Sequence, residues 1–271
     1  MIVLRKSIDY MTIAFRIQKE LVLGPEEQNG HMDFIKKVFL LTPKSQCFFT
    51  FGKTILSDVK NGVLIIQTSE RIFIHLKGRY WIKKKAFSRM QSAVMSIATK
   101  YSADFYLTRL DLCVDFSGEV MVFPMADNRR YKWTGLSKET YYQPYALYSK
   151  DLINRRQIMG CTRWVFQIYR KDIQLAQEKD KAKRQYYKEV FGRANAKLSA
   201  ISRMELRLKH EQSCAKWGPR ILACSSPSEL AAEALREWGL KHQFLIHRRG
   251  EWKLHHKFKQ LFQMPKNESP K

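Results

Sequence analysis

Two short segments of the chain alternate charged and apolar residues with a period of two. Residues 109–116 read Arg-Leu-Asp-Leu-Cys-Val-Asp-Phe, and residues 202–209 read Ser-Arg-Met-Glu-Leu-Arg-Leu-Lys. This alternation predicts two β-strands, each with one apolar and one polar face. Asp111 and Asp115 share the polar face of the first strand, and Glu205 lies on that of the second. If the strands are neighbours, their carboxylates can hold a divalent cation through oxygen; ordinary ion pairs with the adjacent arginines are the alternative.

Between these strands, residues 141–150 contain four tyrosines, and residues 164–171 contain one more. In each segment one tyrosine precedes a lysine by two positions: Tyr148 in the first and Tyr169 in the second. A free phenol has a pKa of about 10 and is a poor nucleophile at neutral pH, but a nearby cation or metal stabilises the phenolate. Because most tyrosines are half-buried packing residues, this pattern alone does not select a nucleophile.

The charge of the chain indicates a polyanionic partner. Forty-nine Lys and Arg oppose 25 Asp and Glu, which gives a net charge of +24. Nucleic acid is the first expectation and a membrane surface a distant second. Cations neutralise phosphates and aromatic rings stack on unpaired bases, although a charged segment is often only a solvated face. The predicted DNA contacts are Lys77, Arg79, Tyr80, Trp81, Lys83, Lys84, Lys85, Arg89, Arg248 and Arg249.

The sequence lacks the motifs of several common classes of enzyme and metal site. The sequence has no P-loop, no H-E-x-x-H and no cysteine–histidine zinc spacing, so ATP-driven work and those zinc sites are not expected. No apolar stretch of about 18 residues indicates a membrane span. The five cysteines form no C-x-x-C pair, which favours a reduced, cytoplasmic setting. His75, between two apolar residues of a predicted strand, is interpreted as structural.

The order of elements predicts an α+β fold with a mainly antiparallel sheet flanked by helices. Strands dominate to about residue 212, and helical spacing predicts a helix over residues 86–101. Further helices are predicted over 172–191, from Ser226 to Gly239 and over 241–262, and residues 24–30 are predicted to form a loop. The predicted domains are a nicking domain (1–212), a small C-terminal helical DNA-binding appendage (213–263) and a disordered tail (264–271).

Five of these segments, in order, resemble the replication initiators of small rolling-circle plasmids and filamentous-type phages, the Rep_trans or replication initiation factor group. The resemblance extends from residue 8 to about 212, and it depends on the order of the motifs, since each is weak alone. The matching segments are Ile8-Asp-Tyr-Met-Thr, His75-Leu-Lys-Gly-Arg, Thr108-Arg-Leu-Asp-Leu-Cys-Val-Asp, Phe166-Gln-Ile-Tyr-Arg-Lys and Arg203-Met-Glu-Leu-Arg-Leu-Lys.

The resemblance implies a site-specific, metal-dependent DNA strand transferase with a rearranged HUH-like nuclease fold that lacks the paired histidines. Asp111 and Glu205 match the acidic positions of the family, with Asp115 as a weaker third, and the expected ion is Mg²⁺ or Mn²⁺. The nucleophile is a tyrosine between the two strands, and both Tyr169 and Tyr148 stand in a matching setting.

The function predicted from this resemblance is a rolling-circle initiator that nicks origin DNA, forming a 5′-phosphotyrosine and a free 3′-hydroxyl. Lys171 and Lys209 are expected to offset charge at the reacting phosphate. The expected partners are single-stranded or hairpin origin DNA and a host helicase and polymerase, without a membrane; the oligomeric state stays open, a dimer included. The alternatives are a non-catalytic DNA-binding regulator, a relaxase of a conjugative element, and an RNA-binding protein.

Overall fold

The protein is described from a computed structural model. The structure describes residues 3–17, 25–41, 45–50, 53–117, 130–136, 138–147, 155–193, 201–209 and 211–262. Tyr148, Lys150 and the predicted tail therefore lie outside the described residues. Among the described residues, no helix combines the length and hydropathy that a membrane span requires.

Strands dominate the described chain up to residue 209, and helices dominate after it. The strands are β1 (Val3–Arg16), β2 (Gln46–Thr50), β3 (Lys53–Asp58), β4 (Val63–Gln67), β5 (Arg71–Leu76), β6 (Asp104–Ser117), β7 (Tyr131–Trp133), β8 (Tyr141–Leu147), β9 (Arg155–Gly160), β10 (Trp164–Arg170), β11 (Ile201–Lys209), β12 (Phe244–Arg248) and β13 (Glu251–Leu254). The helices are α1 (Pro25–Val38), α2 (Gly78–Trp81), α3 (Ala86–Tyr101), α4 (Lys171–Ala176), α5 (Lys181–Arg193), α6 (Glu211–Cys214), α7 (Trp217–Ala223), α8 (Pro227–Lys241) and α9 (His256–Phe262).

Ten of the strands form one sheet in the order β2-β3-β4-β5-β1-β6-β11-β10-β9-β8, and three form a small sheet in the order β13-β12-β7. The pairs β2–β3, β3–β4, β4–β5 and β5–β1 are all antiparallel, as are β8–β9 and β9–β10. In the pairing of β1 with β5, Thr12 lies opposite His75. The predicted class, α+β with a mainly antiparallel sheet flanked by helices, is confirmed.

The chain divides into two compact units, and neither is a continuous stretch of sequence. Unit 1 comprises Met1–Ser7, Leu112–Arg207 and Ser228–Lys271, and unit 2 comprises Ile8–Asp111 and Leu208–Pro227. Strands β1, β6 and β11 therefore each contribute residues to both units. This division differs from the predicted boundary at residue 212, because the segment after that boundary is shared between the two units.

The core of unit 2 is built on α3 and the strands of the β3–β5 meander. Apolar residues recur along α3 at helical spacing, and Phe87, Met90, Val94 and Ile97 are buried on one face. The helix predicted over 86–101 is thus confirmed at both ends. β5 alternates in the same way as its sequence, with every second residue buried, so its other face is left for polar side chains such as His75.

Aromatic rings dominate the core of unit 1. The Phe166 ring on β10 stacks on that of Trp238 on α8, with centroids 5.7 Å apart, and Trp238 packs on Phe262 of α9 at 5.3 Å. Gly239 lies beside Phe262, where an added Cβ would come within 2.8 Å of the Phe262 Cβ. Gly239 therefore serves close packing inside α8, whereas the sequence suggested that it ends the helix.

Three predicted elements were wrong. The loop predicted over 24–30 contains the start of α1, whose proline at the first helical position is a start signal. The single helix predicted over 172–191 is two helices, and α5 begins where Asp180 Oδ1 accepts a hydrogen bond from the backbone N–H of Ala182. The helix predicted over 241–262 is instead the β12–β13 hairpin followed by α9, with consecutive positive φ angles at Arg249 and Gly250 forming its turn.

Candidate active site

Side chains from two neighbouring strands of unit 1 converge on the Glu205 carboxylate. Gln167 and Tyr169 are two positions apart on β10, so both point to the same face of that strand, and Glu205 lies on the adjacent β11. The Tyr169 hydroxyl donates a hydrogen bond to Glu205 Oε1, and the Gln167 amide donates one to Oε2. Glu205 is buried, whereas Tyr169 is partly exposed. A partly exposed phenol bonded to a carboxylate has an acceptor for its proton, which is what a nucleophilic tyrosine needs.

Behind Glu205 lies a buried ion pair between Arg203 of β11 and Asp115 of β6. Arg203 Nε and Nη2 donate to the two Asp115 oxygens at 2.6 and 2.8 Å, and both side chains are 0% exposed. Arg203 Nη2 also donates to the Tyr187 hydroxyl at 2.9 Å, and its Nη1 is 3.8 Å from Glu205 Oε1. Burial alone would lower the pKa of Arg203, but the charge of Asp115 and other neighbours raises it well above its usual value, so this guanidinium stays charged.

Two more cationic side chains, Arg5 and Lys171, lie near the Arg203–Asp115 pair and Tyr187. Arg5 Nη1 donates to the Tyr187 hydroxyl at 3.2 Å and lies 3.7 Å from Asp115 Oδ2. The Lys171 ammonium lies 4.9 Å from the centre of the Tyr187 ring and 5.9 Å from that of Tyr169. Three cations thus accompany two carboxylates in this part of unit 1, and the excess positive charge favours an approaching phosphate.

The remaining predicted acid, Asp111, lies in unit 2 and pairs with Arg109. Arg109 Nε and Nη2 donate to Asp111 Oδ1 and Oδ2 at 2.9 and 2.6 Å. The same guanidinium lies 4.2 Å from the centre of the Tyr10 ring. Arg109 and Asp111 are two residues apart on β6 and share a face, so this pair is the ordinary ion pair that the sequence offered as the alternative to a metal site.

The acids differ in how well they fit a divalent cation. Asp111 and Asp115 each accept hydrogen bonds from a guanidinium on both oxygens. The Glu205 oxygens accept from Gln167 and Tyr169, and Arg203 Nη1 lies 3.8 Å from Oε1. Because its guanidinium neighbour is more distant than theirs, Glu205 fits best as an oxygen ligand. Among the residues that the structure describes, no group of three or more His, Cys, Asp or Glu side chains is placed to hold a metal ion. Lys209, at the end of β11, is partly exposed and belongs to unit 2.

In the predicted DNA-contact segment between residues 77 and 89, the basic side chains reach the surface, whereas the two aromatic side chains are buried. Lys77, Lys84, Lys85 and Arg89 are exposed, and Arg79 and Lys83 are partly exposed. Tyr80 and Trp81 are 4% and 5% exposed, and they donate to the carbonyls of Ala86 and Leu76. These two rings are therefore core residues, and the expectation that they stack on unpaired bases is not met in this structure.

The second predicted contact surface is the tip of the β12–β13 hairpin. Arg248 and Arg249 are both exposed there. Close by on the small sheet, the Lys132 ammonium lies 4.6 Å from the Trp252 ring, which is 5.1 Å from the His247 ring. The small sheet thus offers cations next to a partly exposed aromatic ring, a combination suited to nucleic acid.

No protein-family model and no curated protein matches this chain. Among solved structures, the chain is similar to the rolling circle replication initiator protein from Geobacillus stearothermophilus, with a TM-score of 0.55 and 13% sequence identity. The match covers 96% of this chain and 95% of that chain. This chain therefore has a fold similar to that of the solved initiator structure. At this identity the likeness concerns the fold, which the two chains share over nearly their whole lengths.

Two polar contacts of the structure were not predicted from the sequence: that of Gln167 with Glu205 and that of Tyr10 with His75. Gln167 holds Glu205, and its position two residues before Tyr169 on an alternating strand was the available signal. Tyr10 was noted only as part of an opening strand, and His75 was interpreted as structural. The Tyr10 hydroxyl lies 2.9 Å from His75 Nδ1, a contact between strands 65 residues apart that no local pattern could predict.

Proposed function

We propose that this protein initiates rolling-circle replication by nicking one strand of origin DNA with a tyrosine. The observation that carries the proposal is the hydrogen bond from Tyr169 to Glu205, made within a fold similar to that of a rolling circle replication initiator. Tyr169 is also one of the two tyrosines that the sequence favoured. Tyr148, the other, stays a candidate nucleophile.

In the proposed reaction the Tyr169 oxygen attacks a phosphodiester of single-stranded DNA. Its proton passes to Glu205 Oε1, the P–O3′ bond breaks, and the electron pair leaves with the 3′-oxygen, which takes a proton from solvent. The products are a 5′-phosphotyrosine and a free 3′-hydroxyl that a polymerase can extend. The buried Lys171 ammonium lies 5.9 Å from the centre of the Tyr169 ring, and in the proposed reaction its charge offsets the charge that develops on the phosphate.

A bound Mg²⁺ or Mn²⁺ is part of the proposal, with Glu205 as the candidate oxygen ligand. Such an ion would polarise the scissile phosphate. Gln167 and Arg203 keep the Glu205 carboxylate in a fixed orientation, whether it accepts a proton or binds the ion.

The DNA strand itself is proposed to bind along the exposed cations. Those between Lys77 and Arg89 and those at the hairpin tip are candidates for phosphate contacts, and the half-buried Trp252 is the candidate for contact with a base. Phosphate contacts of this kind give affinity and salt dependence rather than sequence specificity.

The proposal is tested by trapping the covalent intermediate. The protein is mixed with labelled single-stranded origin oligonucleotides and Mn²⁺, resolved on a denaturing gel, and the modified peptide is mapped by mass spectrometry. We expect a labelled adduct on Tyr169 that is lost in Tyr169→Phe. Tyr186→Phe is the matched control, because Tyr186 is a half-buried tyrosine of the same unit without a contact to Glu205.

Other outcomes separate the alternatives. An adduct that maps to Tyr148 would keep the function and replace the nucleophile. Tight DNA binding without any adduct would favour a DNA-binding regulator, and preference for RNA hairpins over origin DNA would favour an RNA-binding protein. A relaxase would nick in the same way, so replication of an origin plasmid in cells is the assay that separates initiation from transfer.

A further inference from the structure

In unit 2, a second tyrosine lies within hydrogen-bond distance of a histidine side chain. Tyr10 on β1 and His75 on β5 lie on adjacent antiparallel strands, and the Tyr10 hydroxyl is 2.9 Å from His75 Nδ1. The Thr12 hydroxyl lies 3.1 Å from the same nitrogen. Tyr10 and His75 are both partly exposed, whereas Thr12 is buried. Of the two hydroxyls at this imidazole, only the phenol is therefore accessible to a substrate.

The surroundings keep His75 in its neutral form. Partial burial lowers the pKa of His75, and the charges of Lys77 and Arg109 lower it further. A neutral imidazole that carries its proton on Nε2 has a free electron pair on Nδ1, which can accept the phenolic proton. His75 thus has the properties of a general base at neutral pH.

A cation next to the phenol completes the arrangement. The Arg109 guanidinium lies 4.2 Å from the centre of the Tyr10 ring and is held by both oxygens of Asp111. A guanidinium at this distance makes a cation–π contact with the ring. Lys77, which is exposed and two residues after His75, provides a further cation for a phosphate.

We propose that Tyr10 is a second nucleophile for phosphodiester transfer, with His75 as its general base and Arg109 as the cation beside its ring. This inference rests on the proposed function, since it assigns a second transfer step to the same chain. The Tyr10 oxygen forms a bond to phosphorus while its proton passes to His75 Nδ1. The P–O3′ bond breaks, its electron pair leaves on the 3′-oxygen, and the imidazolium returns the proton to that oxygen or to solvent.

A second phenol has a chemical purpose in strand transfer. Once one tyrosine carries a 5′-phosphate, it cannot attack again until a 3′-hydroxyl releases the strand. A second nucleophile on the same chain can cut a regenerated junction while the first remains esterified. The released 3′-hydroxyl can then attack the first phosphotyrosine and join the ends without any further reactant.

The experiment uses the full chain in the covalent-adduct assay. In a Tyr148→Phe/Tyr169→Phe variant we expect an adduct that maps to the peptide containing Tyr10 and that disappears when Tyr10→Phe is added. Adding His75→Gln instead should lower that adduct by about 100-fold, because the amide can accept a hydrogen bond but not a proton. Tyr106→Phe is the matched control in unit 2, since its hydroxyl is buried.

The outcomes distinguish the two proposals. No adduct with the double variant, while the wild-type chain forms one, overturns the role of Tyr10 and leaves the proposed function intact. No adduct with the wild-type chain overturns both. An adduct on Tyr10 that His75→Gln does not change would also overturn the inference, because it assigns the proton to His75. Circular dichroism of each variant establishes that the chain is folded.

Discussion

Replacing Asp115 with asparagine tests whether this carboxylate belongs to a buried ion pair or to a metal site. The sequence offered Asp115 as a weak third ligand, whereas both of its oxygens accept hydrogen bonds from Arg203 in the structure. Asparagine has the same shape but no charge. If the ion pair is the role of Asp115, the substitution should lower stability and leave metal binding by the folded protein unchanged.

The expected loss of stability can be estimated from the two hydrogen bonds that Arg203 donates to Asp115. Hydrogen bonds to charged groups contribute about 1.5–3 kcal/mol each, and removing one partner of a buried pair costs about 3–5 kcal/mol. Asparagine keeps one acceptor oxygen, and the Tyr187 hydroxyl still accepts from Arg203 at 2.9 Å. We therefore expect the free energy of unfolding to fall by about 3 kcal/mol, at the lower end of that range.

Urea titration followed by tryptophan fluorescence measures this change, and Mn²⁺ titration followed by electron paramagnetic resonance measures metal binding. The control is the double variant Asp115→Leu/Arg203→Met, which removes both members of the buried pair and should lose less stability than Asp115→Leu alone. A loss below about 1 kcal/mol in Asp115→Asn, combined with Mn²⁺ binding weakened by about tenfold or more, would refute the ion-pair interpretation and make Asp115 a metal ligand.

Three further predictions concern other parts of the molecule. Arg248→Ala and Arg249→Ala should each weaken DNA binding equally for all sequences and reduce the slope of log K against log salt by about 1 in fluorescence anisotropy; a sequence-dependent loss would contradict phosphate contacts. Burial lowers the pKa of His242 to about 4, below its unfolded value of about 6.5, so the unfolded chain binds the extra proton as the pH falls between these values. Urea titrations should therefore show lower stability at about pH 5 than at about pH 7, with a smaller difference in His242→Phe. Burial raises the pKa of the Cys214 thiol to about 12, so iodoacetamide should modify the exposed Cys47 and reach Cys214 only in denaturant.

The elements that were predicted correctly are those whose conformation is determined by residues close together in the sequence. Helical spacing along α3 and alternation along β5 each reflect one buried face, and burial decides the conformation there. β6 and β11 differ, because they are buried on both faces over residues 110–116 and 201–206. The β12–β13 hairpin was mistaken for a helix because its turn, at Arg249 and Gly250, lacks the usual Asn-Gly signal and its basic residues gave no clear period.

The candidate site was predictable only in part for a similar reason. Alternation placed Glu205 on the polar face of its strand, and the resemblance to initiators selected both Glu205 and Tyr169. Which acid pairs with which arginine depends on the registers of distant strands. The pair of Arg109 with Asp111 is local and could be foreseen, whereas that of Arg203 with Asp115 joins residues 88 positions apart.

Both units draw on the last quarter of the chain, and this affects how the protein is made. Unit 2 needs Leu208–Pro227 and unit 1 needs Ser228–Lys271, so neither can reach its final packing during synthesis until these late segments have left the ribosome. A truncated chain ending near residue 212 would lack parts of both units, and we expect it to aggregate rather than to fold as an independent nicking domain.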